Sequence, residues 1–220
     1  MTTIVGHRGA RNVEPENTLL AFRRGIELGA EWVECDVRLT ADGELVAMHD
    51  ATLERTTNGE GEVEKKTLAE LKELDAGKGE KVPTLQEIIE TVKDKAGLII
   101  ELKGSNTAEK AVELVEKNLM NKVAFVSFKP EELKKVKDLD SFSTGFISRA
   151  FALEVIAEAK LLGAGILVVP VSEATQEVVD EVHGEGLKVG VWTVNDKAGY
   201  ERMVSFGVDV VVSDDPGKLK

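Results

Sequence analysis

Side chains that can transfer protons or bind metal ions recur in this sequence at the ends of short apolar runs. Imidazoles end two of these runs, carboxylates end two others, and two cations accompany them. If the runs are the strands of a barrel, all of these side chains meet at its catalytic end. The pattern therefore predicts an enzyme, and the residues that carry it are His7, Arg8, Glu34, Asp36, His49, Glu101 and Lys103.

The acidic residues have the spacing of a metal site. Glu34 and Asp36 are two residues apart, so in a strand their side chains share one face, about 7 Å apart along the chain. Carboxylates gathered inside a dry barrel repel one another unless a cation compensates them. We therefore predict that Glu34, Asp36 and Glu101 bind a hard divalent ion, Mg²⁺ or Ca²⁺, which prefers oxygen ligands. The alternative is that the three acids form salt bridges with neighbouring cations and bind no ion.

Two of the three histidines are candidates for proton transfer. His7 and His49 each end an apolar run, and an imidazole titrates near neutral pH, as a general acid or base requires. A structural role for either one is the alternative. His183 lies near the end of a predicted helix, where the helix dipole stabilises a cation. We therefore predict that His183 is not catalytic.

Two cations and one aromatic side chain are candidates for substrate binding. Arg8 follows His7, and Lys103 lies two residues after Glu101. Arginine and lysine both bind phosphate, the first as a planar fork and the second as a point charge. The alternative is that they pair only with nearby acids. Trp192 ends another apolar run and either offers a wall to a small polyol or fills the top of the barrel.

The elements that must position these residues alternate regularly. Stretches with helical spacing separate most of the apolar runs, and repeated strand and helix units form parallel sheets. Eight runs are predicted to be strands: Thr3 to Val5, Trp32 to Val37, Leu98 to Leu102, Val123 to Phe128, Gly145 to Ser148, Gly165 to Val169, Lys188 to Val194 and Asp209 to Ser213.

The fold class follows from these repeats. The run from Gly165 to Val169 is apolar at nearly every position, which is typical of a strand covered on both faces. A doubly wound sheet would also satisfy this pattern. However, the sequence has no glycine-rich phosphate-binding motif between a strand and a helix. We therefore predict an α/β protein with a (β/α)8 TIM barrel rather than a dinucleotide-binding fold.

One region interrupts the alternation. We predict a single domain over residues 1–220 with a small insertion at about 38–82, after the second barrel strand. Placed there, the insertion can cover the site. Its predicted elements are a hairpin turn at Asp42-Gly43, an additional strand at 45–49, a loop at 53–62 and a short helix at 67–74, and a helix at 83–92 resumes the barrel.

Composition excludes several kinds of partner. The chain has 220 residues, 28 Lys and Arg against 40 Asp and Glu, and a formal net charge of -12. Such a charge repels nucleic acid and anionic membranes, so we expect a small soluble substrate and no membrane insertion. Cys35 is the single cysteine, which excludes an internal disulfide. No signal peptide is evident at the N-terminus, so we expect a cytoplasmic location.

Several short motifs occur in combination along the chain. They are His7-Arg8-Gly9, Pro15-Glu16-Asn17-Thr18, Gly29-Ala30, Glu34-x-Asp36-Val37, Thr40-x-Asp42-Gly43, His49-Asp50, Leu53-x-Arg55-Thr56-Thr57, Glu101-x-Lys103 and Val191-Trp192-Thr193-Val194-Asn195. Together these motifs resemble the glycerophosphodiester phosphodiesterase family. The resemblance extends from the first strand to Asp214 and is specific because the motifs occur in combination.

The resemblance implies a reaction and a role for each candidate. It implies hydrolysis of glycerophosphodiesters to sn-glycerol 3-phosphate and an alcohol, with Mg²⁺ or Ca²⁺ as cofactor. The proposed route uses one histidine as base and one as acid and passes through a cyclic phosphate. By matching motifs, the ligands are Glu34, Asp36 and Glu101, the acid and base are His7 and His49, and the substrate contacts are Arg8, Lys103 and Trp192.

Two other functions remain open from the sequence. A related phospholipase D-like phosphodiesterase also uses paired histidines, although the acidic surface disfavours a lipid substrate. A barrel can also bind phosphorylated polyols without catalysis, because a fold does not dictate its function. Such a binding protein has no need of two imidazoles, so hydrolysis of glycerophosphocholine or glycerophosphoethanolamine distinguishes it from an enzyme.

Overall fold

The protein is built around one sheet of nine strands. The computed structural model describes residues 1–140 and 142–220. The strands in chain order are β1 (Thr3–Gly6), β2 (Trp32–Leu39), β3 (Leu45–Ala47), β4 (Gly97–Leu102), β5 (Val123–Ser127), β6 (Ser143–Ile147), β7 (Ile166–Pro170), β8 (Lys188–Trp192) and β9 (Val210–Ser213).

Eight of the strands are parallel and close into a barrel. The ring runs β1, β2, β4, β5, β6, β7, β8 and β9, and β9 pairs with β1 to close it. In the closing pair Thr3 lies opposite Val210 and Gly6 lies opposite Ser213. The prediction of a (β/α)8 barrel is therefore confirmed, and each predicted barrel strand lies within two residues of its observed bounds at either end.

Helices follow the barrel strands and cover the outside of the ring. Threonine side chains cap several of them, as at Thr18, which accepts a hydrogen bond from the backbone N–H of Ala21. The helices are α1 (Leu19–Glu27), α2 (Leu68–Glu73), α3 (Leu85–Val92), α4 (Ala108–Lys117), α5 (Pro130–Leu139), α6 (Leu153–Leu161), α7 (Gln176–Gly184) and α8 (Lys197–Ser205). In the part of the chain that the structure describes, no helix combines the length and apolar character needed to cross a membrane.

The N-terminus of α4 is capped by a residue of the next helix. Thr107 precedes α4 and makes no side-chain cap bond. Instead Glu132 of α5 accepts hydrogen bonds from the backbone N–H groups of Asn106, Thr107 and Ala108 at 2.8, 2.9 and 3.0 Å. The Glu132 side chain is buried, so this carboxylate satisfies N–H groups that water does not reach.

The segment between β2 and α3 departs from the regular repeat. β3 pairs antiparallel with β2, and Gly43 in the turn between them has a φ of 81° that favours glycine. The hairpin predicted at Asp42-Gly43 is therefore confirmed. The additional strand was predicted to reach His49, but β3 ends at Ala47, because the chain bends at His49 and Asp50 once the backbone N–H of Met48 has donated to the carbonyl of Asp36.

The two faces of each barrel strand have different surroundings. On β2, Val33, Cys35 and Val37 pack in an apolar core with the inner faces of α3 and α4. Cys35 is a free cysteine buried among these apolar side chains. The alternate residues Glu34 and Asp36 face the other way. The side-chain period of two thus separates a packed outer layer from a barrel interior that holds charged groups.

Candidate active site

Three carboxylates meet inside the barrel at the boundary between β2 and β4. Asp36 and Glu101 lie opposite each other in the register of these parallel strands, and Glu34 is two residues before Asp36. One oxygen from each of the three carboxylates lies within 4.8 Å of the others, and all three residues are buried. The structure therefore brings together the three acids predicted from sequence.

The crowding of these acids shifts their proton affinities in opposite directions. Burial, followed by the charges of Asp36 and Glu101, raises the pKa of Glu34 well above its ordinary value. Burial and the charge of Asp36 likewise raise the pKa of Glu101 to about 7. Burial also opposes ionisation of Asp36, but Arg8 and Lys103 outweigh it and lower the pKa of Asp36 to about 2. Without a further cation, the cluster therefore holds fewer than three negative charges at neutral pH.

Two cations from neighbouring loops partly compensate the cluster. The Lys103 Nζ lies 2.6 Å from Glu101 Oε1 and 3.4 Å from Asp36 Oδ1. The Arg8 Nε lies 3.2 Å from Asp36 Oδ2, while its Nη1 bonds Glu16 Oε1 at 2.6 Å. The salt bridges that the sequence left as an alternative are thus present for these two cations. They coexist with the cluster of acids.

The carboxylate oxygens that Arg8 and Lys103 leave without a hydrogen bond indicate whether a divalent cation fits the cluster. Among the described residues, neither Glu34 Oε1 nor Asp36 Oδ1 has a hydrogen-bond partner, although both are buried and Lys103 Nζ lies 3.4 Å from Asp36 Oδ1. A buried acceptor without a partner costs free energy, and an ion bound at the cluster would remove that cost for both atoms. All donors are carboxylate oxygens, which suit Mg²⁺ or Ca²⁺ better than zinc. The residues present therefore fit a hard divalent ion.

The loop after β1 is shaped by close contact with α1. Gly9 has a φ of 86°, and a Cβ on it would lie 2.4 Å from the backbone carbon of Ala21. Only glycine allows this approach. The preceding residue, Arg8, also has a positive φ, of 49°, and its backbone N–H donates to Glu34 Oε2 at 2.9 Å. The loop therefore fixes both the backbone and the side chain of Arg8 against the acids.

His7 lies between the carboxylates of Asp214 and Glu34. Its Nδ1 is 2.6 Å from Asp214 Oδ1, and its Nε2 is 4.0 Å from Glu34 Oε2. Asp214 follows β9 and also accepts a hydrogen bond from the Asn195 side chain at 2.9 Å. Asp214 therefore holds one ring nitrogen, and the other ring nitrogen faces the carboxylate cluster.

His49 has a similar partner on the insertion. Its Nδ1 is 2.6 Å from Asp50 Oδ1, and Arg55 donates to the second oxygen of Asp50 at 2.6 Å. Arg55 also bonds both oxygens of Glu16, which ties the insertion to the loop after β1. Burial lowers the pKa of His49 below its ordinary value, although Asp36 and Asp50 oppose the effect. The lowered pKa favours the neutral imidazole, which is the form that can accept a proton.

One cavity connects these groups. It has a volume of about 670 Å³ and extends from the mouth of the barrel into its interior. His7 and His49 both line it, together with Arg8, Glu34, Glu101, Lys103 and Trp192. Asp36 lies behind this wall with almost no exposed surface. His183 is not among the lining residues, and it bonds Asp209 at 2.9 Å instead.

Trp192 ends β8 and forms an apolar wall of the cavity with Phe128. The two rings meet edge to face with their centroids 6.0 Å apart. The indole Nε1 is buried and has no acceptor. An indole N–H without an acceptor is unusual inside a protein, so this wall presents a hydrogen-bond donor as well as an apolar surface.

Several residues of the site escaped the sequence analysis. Asp214 and Asn195 lie far from His7 in the chain, and nothing in their local pattern indicates that they meet. Asn17, whose side chain donates to Asp36 Oδ2 at 2.9 Å, was named only as part of a motif before α1. Phe128 was counted as the end of a strand. For Phe128, Asn195 and Asp214, the signal available in the sequence was their position at or beside a predicted strand end.

Comparisons with known proteins agree with this geometry. A model of the glycerophosphoryl diester phosphodiesterase family matches residues 7–218. A glycerophosphodiester phosphodiesterase of Caldanaerobacter subterraneus subsp. tengcongensis is 38% identical over 99% of this chain and 96% of its own length. One from Bacillus subtilis is 33% identical over 96% of this chain and 83% of its own. An Oleispira antarctica phosphodiesterase, solved in complex with the product sn-glycerol-3-phosphate, superposes with a TM-score of 0.95 at 32% identity, covering 100% of this chain and 95% of that one.

Proposed function

The chain belongs to the glycerophosphoryl diester phosphodiesterase family, and we propose that its barrel hydrolyses glycerophosphodiesters to sn-glycerol 3-phosphate and an alcohol, using His7 and His49 as acid and base. The phosphodiesterase activity itself follows from full-length relatives of that name. The observation that supports the proposed site is that both imidazoles line one cavity with Glu34 and Glu101.

The cofactor that we propose is a divalent cation, Mg²⁺ or Ca²⁺, held by Glu34, Asp36 and Glu101. The buried oxygens without partners and the oxygen-only donor set support this assignment. When bound, such a cation stabilises the negative charge that develops on a phosphoryl group.

The two histidines are proposed to move protons in sequence. One accepts the proton of the glycerol 2-hydroxyl as that oxygen attacks phosphorus, and the other donates a proton to the departing alcohol. Water then opens the resulting cyclic phosphate, with the two roles reversed. Asp214 and Asp50 each hold the Nδ1 of one imidazole, which leaves the Nε2 atom to exchange the proton.

The substrate is proposed to lie between the cations and the aromatic wall. Arg8 and Lys103 line the cavity beside the carboxylates, where they attract a phosphate in spite of the negative charge of the whole protein. Trp192 contacts the glycerol moiety, and its unpaired N–H donates to a substrate oxygen.

The cytoplasmic location of this enzyme, which acts on a small molecule, stays a prediction.

A coupled assay for glycerol 3-phosphate tests the proposal. Purified protein is given glycerophosphocholine or glycerophosphoethanolamine, first in EDTA and then with excess Mg²⁺ or Ca²⁺. We expect no turnover in EDTA and restored turnover with one of the ions. Full activity in EDTA would contradict the metal site, and absence of glycerol 3-phosphate under every condition would contradict the reaction.

A second substrate distinguishes the cyclic route from direct attack by water. The analogue has 1,3-propanediol in place of glycerol, so it lacks the 2-hydroxyl. Its cleavage is followed by phosphorus NMR. The cyclic route predicts that turnover is lost, because the attacking group is missing. Turnover equal to that of the parent diester would establish direct attack by water.

A further inference from the structure

A cation that the proposed mechanism does not use stands at the mouth of the cavity. Arg149 follows β6 by two residues, so it lies at the same end of the barrel as the carboxylates and imidazoles. It lines the same cavity as His7 and Trp192. Its guanidinium carbon is 4.9 Å from the centre of the Phe128 ring, which is a cation–π contact. Arg149 therefore covers the outer face of the aromatic wall.

The backbone around Arg149 is held in place. The backbone N–H of Ser148 donates to the carbonyl of Val168 at 2.9 Å. The Ser148 hydroxyl donates to the carbonyl of Ala150 at 2.7 Å and accepts a hydrogen bond from the Ala150 N–H at 3.4 Å. Residues on both sides of Arg149 are thus anchored, which holds the backbone from which its exposed side chain extends over Phe128.

Arg149 differs from the other cations at the cavity mouth, whose charges are balanced by ion pairs with acidic side chains. Arg8 pairs with Glu16 and Asp36, and Lys103 pairs with Glu101. Within residues 1–140 and 142–220, Arg149 forms no ion pair with an acid. The chain carries 40 acidic residues, so an unpaired guanidinium beside a reaction centre is available for a ligand.

The unpaired positive charge of Arg149 determines which chemical group of a substrate can bind beside it. The glycerol moiety is neutral, and the phosphate that reacts already has Arg8 and Lys103. An ammonium group, such as that of choline, is repelled by a guanidinium, and the Phe128 ring that could bind it already lies within 4.9 Å of Arg149 and 5.4 Å of Lys103. A second negative charge on the substrate is the group that complements Arg149, and the alcohol portion is the part that can carry one.

We propose that Arg149 forms a subsite for an anionic group on the alcohol portion of the diester, so that the enzyme favours substrates whose released alcohol carries a carboxylate or a phosphate. This inference depends on the proposed function, because it adds a preference among substrates of the same reaction. A guanidinium binds both kinds of oxyanion through paired N–H groups. Because the mouth is open to water, the contact is weaker than a buried ion pair. Because the guanidinium donates paired hydrogen bonds to the anion, the contact is stronger than an ordinary exposed pair. We therefore expect an effect of about tenfold.

The test compares two substrates that differ by one carboxylate, glycerophosphoserine and glycerophosphoethanolamine. With the wild-type enzyme and the activating ion, kcat/KM should be about tenfold higher for the serine diester. Arg149→Gln should raise KM for that substrate about tenfold and leave its kcat within about twofold, because binding in the ground state and the transition state is lost together. The same variant should not lower kcat/KM for the ethanolamine diester. Arg149→Lys, which keeps the charge but not the fork, should retain part of the preference.

Lys129 provides a matched control. It follows β5 as Arg149 follows β6, bonds the hydroxyl of Ser105 at 3.1 Å, and is not among the residues that line the cavity. Lys129→Gln therefore removes the same net charge without touching the subsite, and the preference for the serine diester should remain.

The outcomes separate the subsite from the reaction. Hydrolysis of the ethanolamine diester reports on the proposed function alone, whereas the ratio between the two substrates reports on Arg149. A ratio near one in the wild type, or a ratio unchanged in Arg149→Gln, would overturn the subsite while leaving the reaction intact. An equal loss for both substrates in Arg149→Gln would also overturn it, since Arg149 would then serve the shared glycerophosphate part. If neither substrate is cleaved with either ion, both proposals fail.

Discussion

The Nδ1 of His7 lies 2.6 Å from Oδ1 of Asp214, so the loops after the first and last strands of the barrel are joined at the cavity. In the proposed mechanism this carboxylate orients the ring and would stabilise the positive charge that His7 gains when its other nitrogen accepts a proton. Asp214→Asn keeps the shape of the side chain but removes its charge. We expect kcat to fall by about 10- to 100-fold in this variant.

A similar pair outside the cavity serves as control for this measurement. His183 bonds Asp209 at 2.9 Å on the outside of the barrel. Asp209→Asn should leave kcat within about twofold. A normal kcat in Asp214→Asn would show that His7 does not need its carboxylate partner.

The histidines themselves should account for a larger part of the rate. His7→Ala and His49→Ala should each lower kcat by about 100-fold or more, because general acid or base catalysis contributes about 100- to 10,000-fold. Circular dichroism should show that both variants remain folded. His183→Ala should keep nearly full activity, and a near wild-type rate in either of the first two variants would remove that residue from the proton chemistry.

Metal binding should be visible as stabilisation, independently of activity. A ligand at about 100 times its dissociation constant adds about 2.7 kcal/mol to the free energy of unfolding, which for a domain of this size raises Tm by about 5 to 10 °C. We expect Mg²⁺ or Ca²⁺ to raise Tm of the wild type by this amount, as measured by thermal unfolding with and without EDTA.

Glu34→Gln should remove most of that response. Burial and the charges of Asp36 and Glu101 raise the pKa of Glu34, so a neutral side chain is tolerated there and the variant should be as stable as the wild type in EDTA. Glu27→Gln, at an exposed position of α1, should keep the full rise in Tm. An undiminished rise in Glu34→Gln would show that the ion binds elsewhere.

The cap of α4 predicts a pH-dependent effect on stability. Burial opposes ionisation of Glu132, but hydrogen bonds from the backbone of Asn106 and Ala108 outweigh it, and its pKa is lowered in the folded protein. A group with a lowered folded pKa stabilises the protein above its unfolded pKa, and this contribution is lost as the pH falls through the folded value. Glu132→Gln should therefore lower the free energy of unfolding by about 2 kcal/mol at pH 7, and less as the pH falls below about 4.

Chemical denaturation at several pH values measures this difference. Glu131→Gln changes the neighbouring acid, which is exposed, and should have little effect at any pH. A penalty for Glu132→Gln that stays constant from pH 7 to pH 3 would show that the carboxylate charge does not contribute to the cap.

Local patterns were sufficient for the barrel and for part of the site. The strands were predictable because runs such as 165–169 are apolar on both faces, and the sharing of one face by Glu34 and Asp36 follows from the period of a strand. The meeting of Asp36 with Glu101 required only that β2 and β4 be neighbours in parallel register. These features depend on short stretches of chain and on one rule of topology.

Other contacts could not be predicted because they depend on how loops fold in space. Nothing near Asp214 or Asp50 indicates which histidine nitrogen it contacts. Arg149 lies in a short loop, and its stacking on Phe128 depends on how the loops after β5 and β6 are arranged in space. The end of β3 at Ala47 depends on a bend of the chain at His49 and Asp50.

The closure of the ring by β1 and β9 has a consequence for the emerging chain. All three carboxylates proposed to hold the ion precede residue 102, whereas the partner of His7 follows β9, the last strand of the ring. During translation the acidic groups leave the ribosome long before Asp214 does. His7 therefore cannot gain its carboxylate partner until synthesis has delivered the final strand of the ring.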